Sequence, residues 1–263
     1  MNYEEFLSFH QQGRVGVVRL SRPSKLNTMS APFYEAMIAL QQEEIVGNTE
    51  LRAIAMLADG KHFSAGIDLN YAKAVIGTRG RSLYGIYHWR QAYHFWHECN
   101  LPVVVGIQGA CMGTAIELVS SCDIRIAAEN ARFSLREVDV GISTDLGGTS
   151  RLTKLIGPGM TKFLAMTCED IDAAEAQRIG LVERVVPLEE LEAVTMHYAE
   201  LLADKPPIAV QMCKKCINIA MDSSLSTGLI AEEIQGIYTA STRDKAEASA
   251  AMLEKRKGEY HCE

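Results

Sequence analysis

Two short apolar runs, LRAIAMLAD at 51–59 and PVVVGIQGA at 102–110, constrain the fold of this chain more than any other feature. Each run is bounded by polar turn residues and has the length of a strand, so each predicts a buried strand. Between the two runs, residues 81–100 have helical periodicity. After the second run, a glycine turn and a short helix are predicted over 113–122. Strands that alternate with helices predict an α/β core.

The two ends of the chain differ. Near the start, segments 6–12 and 14–22 alternate like strands around Gly13, which predicts a hairpin. Ser30 is then a candidate cap for a helix over 31–46. From Gly147 onward the pattern is mainly helical, interrupted by a brief strand at 181–187. These late helices are amphipathic and need a surface to pack against, so we expect an oligomer interface there.

Composition narrows the classes of function. The 263 residues carry a net charge of −7 without a block of Lys or Arg, so binding to nucleic acid or to an anionic membrane is not indicated. Seven cysteines, an odd number in a chain of this size, predict free thiols in a reducing compartment. No apolar run reaches 18 residues, so no membrane span is predicted. The expected compartment is the cytoplasm, with a mitochondrial or peroxisomal location left open.

Several familiar motifs are missing or incomplete. Cys213 and Cys216 form a CxxC inside a helical pattern, but no second pair completes a zinc site. A group on the 81–100 helix has metal-binding side chains at a spacing that fits no metal signature: His94, His97, Glu98 and Cys99. Nucleotide-phosphate loops and a GxSxG nucleophile are absent from the sequence. We therefore expect no metal and no redox cofactor.

Residues 137–148 read EVDVGISTDLGG and place two carboxylates, Glu137 and Asp145, among apolar and small side chains. Because apolar surroundings disfavour the ionised form of a carboxylate, such acids are candidates for proton transfer. Asp145 also precedes two glycines and a helix, where aspartate is a common cap, so a capping role is an alternative. Asp139, which alternates with apolar neighbours, is expected to face solvent.

Two glycine-containing segments are candidates for contact with a ligand. In GACMGTAIEL (109–118), a strand-to-helix turn exposes N–H groups that suit a developing negative charge. Glu117 follows in the first turns of this helix, where it either stabilises the helix dipole or is partly buried. HFSAGIDL (62–69) brings backbone close to a ligand or is simply a tight turn.

Taken together and in this order, four segments resemble the crotonase (enoyl-CoA hydratase/isomerase) superfamily: SRPSKLNTMS, HFSAGIDL, QGACMGTAIELVSSCDIRIAAENARFSLREVDVG and GGTSRLTKLIGPGMTKFLAMT. The resemblance implies an α/β fold, a crotonase-like spiral of ββα units with a C-terminal helical trimerisation region. It implies a ββα core over 1–200, helices for oligomerisation over 201–263, and a homotrimer or dimer of trimers.

The resemblance also implies a site for an acyl-CoA thioester, whose coenzyme A is part of the substrate rather than a cofactor. The backbone N–H groups of Ile67 and Thr114 would form an oxyanion hole for the thioester carbonyl. The family usually has glycine where Thr114 and Ala115 stand, so the Thr114 side chain is expected to occupy space near the thioester. Residues matching the coenzyme A contact region are Lys25, Leu26, Asn27, Ala65 and Asp68.

The same resemblance implies an activity, through the three acids Glu117, Glu137 and Asp145. Glu117 and Glu137 match the two glutamates of enoyl-CoA hydratases, whereas Asp145 matches an additional acid of Δ3,5-Δ2,4-dienoyl-CoA isomerases. The resemblance therefore implies an isomerase of unsaturated fatty acid β-oxidation, with Asp145 as base, Glu137 as acid and Glu117, in place of the usual aspartate, as an orienting group. A hydratase using both glutamates, a Δ3-Δ2-enoyl-CoA isomerase and a binding scaffold without turnover are the alternatives.

Aromatic residues on the 81–100 helix either line the acyl pocket or pack the core, and we favour the core: Tyr84, Tyr87, Trp89, Tyr93, Phe95 and Trp96.

Overall fold

The structure is a computed structural model that describes residues 2–75 and 79–263, and the side chains of residues 74, 75 and 79–84 are outside the description. Its strands are β1 (Leu7–Gln12), β2 (Val15–Leu20), β3 (Ala53–Ala58), β4 (Val103–Ile107), β5 (Ala110–Met112), β6 (Ile124–Ala128), β7 (Arg132–Ser134), β8 (Ile171–Asp172) and β9 (Arg184–Val186). Its helices are α1 (Ala31–Leu40), α2 (Leu69–Val75), α3 (Arg79–Glu98), α4 (Thr114–Val119), α5 (Gly148–Thr167), α6 (Ala173–Arg178), α7 (Leu191–Ala203), α8 (Pro207–Asp222), α9 (Leu225–Ala240) and α10 (Arg243–Glu254).

The larger sheet has the strand order β1-β2-β3-β4-β6-β9. The predicted hairpin is confirmed: β1 and β2 are antiparallel, and Gly13 between them has a φ of +59°. The remaining neighbours are parallel, as helical crossovers between successive strands require. The sequence therefore predicted both central strands, β3 and β4, within three residues of their ends.

Both faces of this sheet are covered, which explains why β3 and β4 read as continuous apolar runs. All residues of β3 and β4 are buried. Ile54 and Met56 point into the main core, whereas Ala55 and Leu57 point to the opposite face and pack with α7. Successive side chains of a strand alternate in this way because the period of a strand is two.

A smaller sheet consists of β5, β7 and β8, and it lies next to the glycine-containing segment 62–69. Ser64 forms a parallel bridge with Cys111 at one edge, and Met29 forms another with Ile67. These bridges place the 62–69 loop between the 22–30 loop and β5. The strand-to-helix turn after β5 therefore lies directly beside the HFSAGIDL loop.

The C-terminal helices pack on the core in different ways. α7 covers the sheet, and residue 200, where the sequence placed a domain boundary, lies inside it; the division itself stays a prediction. α8 is attached through Lys214, which is buried and bonds Asp123 (2.8 Å) and the carbonyl oxygens of Trp96 and Leu101 (2.8 and 3.0 Å). In contrast, α9 leaves apolar side chains more than half exposed: Ile230, Ile234 and Ile237.

Two local expectations are revised. Ser30 does occupy the N-cap position of α1, but its side chain makes no capping hydrogen bond. The helix over 31–46 changes its winding: α1 ends at Leu40 and residues 41–45 continue as a wider π turn. Within the described residues, no helix is long and apolar enough to cross a membrane.

Candidate active site

The N-terminus of α4 forms the floor of the candidate site. Gly113 precedes the helix with a φ of +54°, a conformation that disfavours any residue with a Cβ, and Thr114 is the first helical residue. Gly66 packs against this turn so closely that a Cβ on it would lie 2.6 Å from the Met112 carbonyl oxygen. Glycine at 66 and 113 therefore lets two loop backbones lie side by side.

The N–H groups predicted to form an oxyanion hole lie next to this contact. The bridge between Met29 and the 66–68 segment uses the Gly66 carbonyl and the Asp68 N–H, which leaves the Ile67 N–H out of the pairing. Thr114 N–H belongs to the first turn of α4, where helical donors have no partner within the helix. Among the described residues, no protein acceptor bonds to either N–H. Both donors are thus available to a ligand.

Glu117 is 1% exposed, on the short apolar helix α4. Its Oε1 accepts hydrogen bonds from the backbone N–H groups of Leu146 (2.9 Å) and Gly148 (3.0 Å). Burial, and then the charges of Glu137 and Asp145, raise its pKa to about 8. Glu117 therefore holds a proton at neutral pH while it caps the N-terminal end of α5.

This contact corrects the alternative role for Asp145. The N-cap position of α5 is occupied by Gly147, and the acceptor for the free N–H groups is Glu117 from another element. Arg151 completes the turn by donating to the Leu146 carbonyl oxygen at 2.9 Å. Asp145 consequently has no capping function here.

Glu137 lies at the start of the short 3₁₀ turn Val138–Val140 and is 9% exposed. Its Oε1 lies 3.0 Å from where a Cβ on Gly113 would be, so its carboxyl group lies against the turn that leads into α4. Its Oε2 is buried and has no hydrogen-bond partner in the described structure. Burial and the charge of Asp145 raise the pKa of Glu137 to about 7.

We call Gly113–Glu117 together with Glu137 the inner wall, and residues 138–145 the rim. The rim is open: Val138, Val140, Ile142 and Asp145 are all exposed. The surrounding atoms nevertheless displace enough water from the Asp145 carboxyl group to raise its pKa. Asp139, as predicted, faces solvent, where it pairs with Arg136 at 3.2 Å. The structure therefore brings Glu117, Glu137 and Asp145 together, two buried and one at the edge.

The Thr114 side chain has partners on two other helices. Its Oγ1 lies 3.0 Å from the Tyr93 hydroxyl on α3 and 3.3 Å from the Tyr34 hydroxyl on α1. The expectation that this side chain occupies space near the thioester stays a prediction. Sequence reasoning missed Tyr34, because a tyrosine on an amphipathic helix carries no signal of its partner.

The predicted coenzyme A contacts fall on two adjacent loops. Ala65 N–H bonds the Leu26 carbonyl oxygen at 3.0 Å, and Lys25 and Leu26 are exposed. The Asn27 side chain is instead committed within the protein, to the Arg22 N–H and to the carbonyl oxygens of Asp59 and His62. Asp68 bonds the N–H groups of Asn70 and Tyr71 at the start of α2. Asn27 and Asp68 thus shape the loops, and their contact with a ligand stays a prediction.

The remaining residues singled out in the sequence are the histidines and aromatic residues of α3 and the cysteines. His94 and His97 stack at 5.9 Å on α3, and the part of the chain that the structure describes holds no group of three metal-binding side chains. All seven cysteines are free thiols. Tyr93 and Trp96 are fully buried, Trp89 and Phe95 partly so, and Tyr87 is exposed. The Tyr84 side chain lies outside the described residues.

The arrangement matches a known family along nearly the whole chain. Residues 10–262 match the family described as "Enoyl-CoA hydratase/isomerase". The chain belongs to the enoyl-CoA hydratase/isomerase family. A short-chain-enoyl-CoA hydratase of Clostridium acetobutylicum is 36% identical over 248 residues, 94% of each chain. A mitochondrial Delta(3,5)-Delta(2,4)-dienoyl-CoA isomerase of Dictyostelium discoideum is 30% identical over 92% of this chain and 86% of that protein.

Solved structures confirm the fold. The crystal structure of an enoyl-CoA hydratase from Bacillus anthracis superposes with a TM-score of 0.93 at 32% identity, covering 98% of this chain and 100% of that one. The crotonase-like α/β fold predicted from the ordered motifs is therefore confirmed, and the protein is an enzyme of the hydratase/isomerase family. Hydratases and dienoyl-CoA isomerases both occur among its relatives, so the family alone leaves the reaction open.

Proposed function

We propose that this protein is a Δ3,5-Δ2,4-dienoyl-CoA isomerase of unsaturated fatty acid β-oxidation. The reaction removes a proton from C2 of a 3,5-dienoyl-CoA and delivers one to C6, which moves both double bonds into conjugation with the thioester. The observation that carries the proposal is the third acid: Asp145 lies at the edge of a site that already holds Glu117 and Glu137, and the pKa of each is raised.

The two free N–H groups suit the intermediate of this reaction. Loss of the C2 proton leaves a dienolate whose negative charge lies largely on the thioester oxygen. Donors already aimed at that oxygen stabilise the charge without rearranging, and loss of one such donor typically costs about 10²–10³ in kcat. Ile67 and Thr114 would supply the two donors, from backbones held together by the contact between Gly66 and the Met112 carbonyl.

The environments of the acids support separate roles. Asp145 is the acid most open to water, so at neutral pH it is the group best able to remain ionised and act as base. Glu137, with a pKa of about 7, is protonated in a large fraction of molecules and can donate to C6. Glu117 holds the turn that carries Asp145 and so orients the base.

Coenzyme A would lie along the two adjacent loops. Leu26 and Ala65 join their backbones there, and exposed Lys25 can pair with a phosphate group of the nucleotide. Asn27 and Asp68 would act indirectly, by fixing the loop conformations. No metal or redox group takes part in this proposal, because proton transfer needs only the carboxyl groups and the two donors.

An enoyl-CoA hydratase is the second candidate, and a specific observation favours it. Glu117 and Glu137 are both buried beside the free N–H groups, and the charge of Glu137 disfavours ionisation of Glu117. Such a pair can hold and activate a water that adds across a 2-enoyl-CoA. In that reaction Asp145 would have no catalytic role.

A substrate panel separates the candidates. Wild type and the Asp145→Asn and Glu137→Gln variants are given 3,5-dienoyl-, 3-enoyl- and 2-enoyl-CoA, and formation of the 2,4-dienoyl thioester is followed by the absorbance of the diene conjugated with its carbonyl. We expect wild type to isomerise the 3,5-dienoyl-CoA and each variant to lose about 10²–10⁴ in kcat, the usual contribution of a positioned acid or base.

Asp139→Asn is the matched control, since it removes an exposed acid from the same segment and should retain activity within about twofold. Full activity of Asp145→Asn on the preferred substrate would refute the isomerase. Rapid hydration of the 2-enoyl-CoA by the same variant would establish the hydratase in its place.

The exposed side chains of α9 are part of the proposal as well. Ile230, Ile234 and Ile237 would be covered by a second copy of this chain, in a homotrimer or a dimer of trimers.

A further inference from the structure

Three hydroxyl groups meet in the core directly behind the inner wall. Thr114 Oγ1 lies within hydrogen-bond distance of the hydroxyls of Tyr93 (3.0 Å) and Tyr34 (3.3 Å). Thr114 is 5% exposed, Tyr34 1% and Tyr93 0%. Burial raises the pKa of both tyrosines, so both hydroxyls keep their protons and can donate.

The two tyrosines are themselves rigidly placed. Tyr34 stacks on Trp89, with ring centroids 5.4 Å apart, and meets Tyr93 edge to face at 5.6 Å. These contacts join α1 to α3, so the hydroxyls are presented to Thr114 from two packed helices. An aromatic pair of this kind holds its geometry without help from solvent.

Tyr93 also contacts Met29, which pairs with the segment that carries the Ile67 N–H. Its hydroxyl lies 2.9 Å from Met29 Sδ. The backbone of Met29 accepts from the Asp68 N–H and donates to the Gly66 carbonyl, which fixes Ile67 between them. One tyrosine hydroxyl therefore contacts both residues that determine where the two free N–H groups lie.

The contact between the Thr114 hydroxyl and the two tyrosines can restrain the backbone at residue 114, which a glycine at this position would not allow. A β-branched side chain has few χ1 rotamers, so fixing Oγ1 also fixes the orientation of the backbone to which it is attached. Thr114 is the first residue of a six-residue helix and is preceded by a glycine, and no other described residue bonds its side chain. The hydroxyl cluster thus restrains the peptide that carries the Thr114 N–H.

We infer that Tyr93, supported by Tyr34, is a positioning residue that holds the Thr114 and Ile67 N–H groups in register through the Thr114 hydroxyl and Met29. The inference rests on the proposed function only in treating these N–H groups as donors to a thioester oxygen. It applies equally to an isomerase and a hydratase, because both reactions develop charge on that oxygen.

A double-mutant cycle tests it. Tyr93→Phe in the wild-type background should lower kcat about tenfold, a partial loss of one donor, with KM changed less than about twofold. In a Thr114→Gly background the same replacement should have a clearly smaller effect, because only the contact of Tyr93 with Met29 then remains. Thr114→Val, which removes the hydroxyl, should lose about as much as Tyr93→Phe, whereas Thr114→Ser, which keeps the hydroxyl, should lose less.

A spectroscopic signal makes the test independent of turnover. A conjugated enoyl- or dienoyl-CoA bound in an oxyanion hole absorbs at longer wavelength, because its carbonyl is polarised. Tyr93→Phe should reduce this shift, whereas Tyr3→Phe, which removes a hydroxyl bonded to Glu44 elsewhere, should not. If wild type fails to isomerise a 3,5-dienoyl-CoA but shifts the spectrum of a bound 2-enoyl- or 2,4-dienoyl-CoA, the proposed function falls and this inference stands.

Two outcomes overturn the inference. One is an equal loss of kcat on Tyr93→Phe in both backgrounds, which would assign the effect to core packing. The other is an unchanged spectral shift in Tyr93→Phe with wild-type thermal stability.

Discussion

The inner wall and the rim lie next to each other and are built by opposite means. In the inner wall, Thr114, Glu117 and Glu137 are at least nine-tenths buried, and the first two are tied by hydrogen bonds to other elements. In the rim, Val138, Val140, Ile142 and Asp145 are exposed, and the Asp145 side chain bonds no other described residue. Under the proposed function, the buried inner wall supplies the Thr114 oxyanion donor and Glu137, and the exposed rim supplies the acid that distinguishes an isomerase from a hydratase.

The largest expected effect comes from removing the Glu117 carboxyl group, which accepts two hydrogen bonds from the start of α5. Glu117→Leu leaves the buried N–H groups of Leu146 and Gly148 without a partner, and each costs about 1–3 kcal/mol. We expect a loss of about 2–6 kcal/mol in the free energy of unfolding, measured by urea denaturation. Glu117→Gln keeps an acceptor oxygen and should lose less than about 1 kcal/mol. Equal losses in the two variants would show that Glu117 does not act as a cap.

The second test uses pH. The pKa values of Glu137 and Glu117 are raised by folding to about 7 and about 8, so the folded chain retains protons that the unfolded chain has released. Stability from these groups is complete below their unfolded pKa, near 4.5, and is lost as pH rises toward 8. Each group contributes a slope of at most about 1.4 kcal/mol per pH unit.

Urea denaturation at pH 5.5, 6.5 and 7.5 measures this slope. Glu117→Gln should flatten it, whereas Asp139→Asn, in which an exposed acid is removed, should leave it as in wild type. A stability that rises over this pH range would contradict the assignment of the raised pKa values.

The smallest expected effect belongs to the rim. Asp145→Asn should change the free energy of unfolding by less than about 0.5 kcal/mol, because the residue is exposed and its carboxylate bonds only its own backbone N–H among the described residues. The same variant is expected to lose most of the isomerase activity. A loss of stability comparable to that of Glu117→Leu would mean that the rim is as much a part of the core as the inner wall.

The sequence predicted the parts of the molecule in which local pattern and burial agree. The strands β3 and β4, the hairpin at Gly13 and the helix α4 follow directly from apolar runs and glycine turns. The structure places Glu117, Glu137 and Asp145 close enough for the charge of one to affect the pKa of another. Their roles stay predictions.

What the sequence missed are contacts between distant segments. The cap of α5 comes from Glu117, not from the neighbouring Asp145, and no local pattern records which carboxylate reaches a helix end. The two tyrosine hydroxyls that meet the Thr114 hydroxyl also lie on other helices, and the sequence carried no signal for this contact. Both contacts depend on tertiary packing, which a local pattern does not contain.

The buried contact between Lys214 and Asp123 has a consequence for how the chain is made. Asp123 precedes β6 in the middle of the sheet, whereas Lys214 lies on α8 near the end. All strands of the sheet precede α8 in the chain, so the sheet gains this ion pair only after α8 has been synthesised and packs against it. In the complete chain, removing either partner would leave the other charge largely shielded from water, which is destabilising.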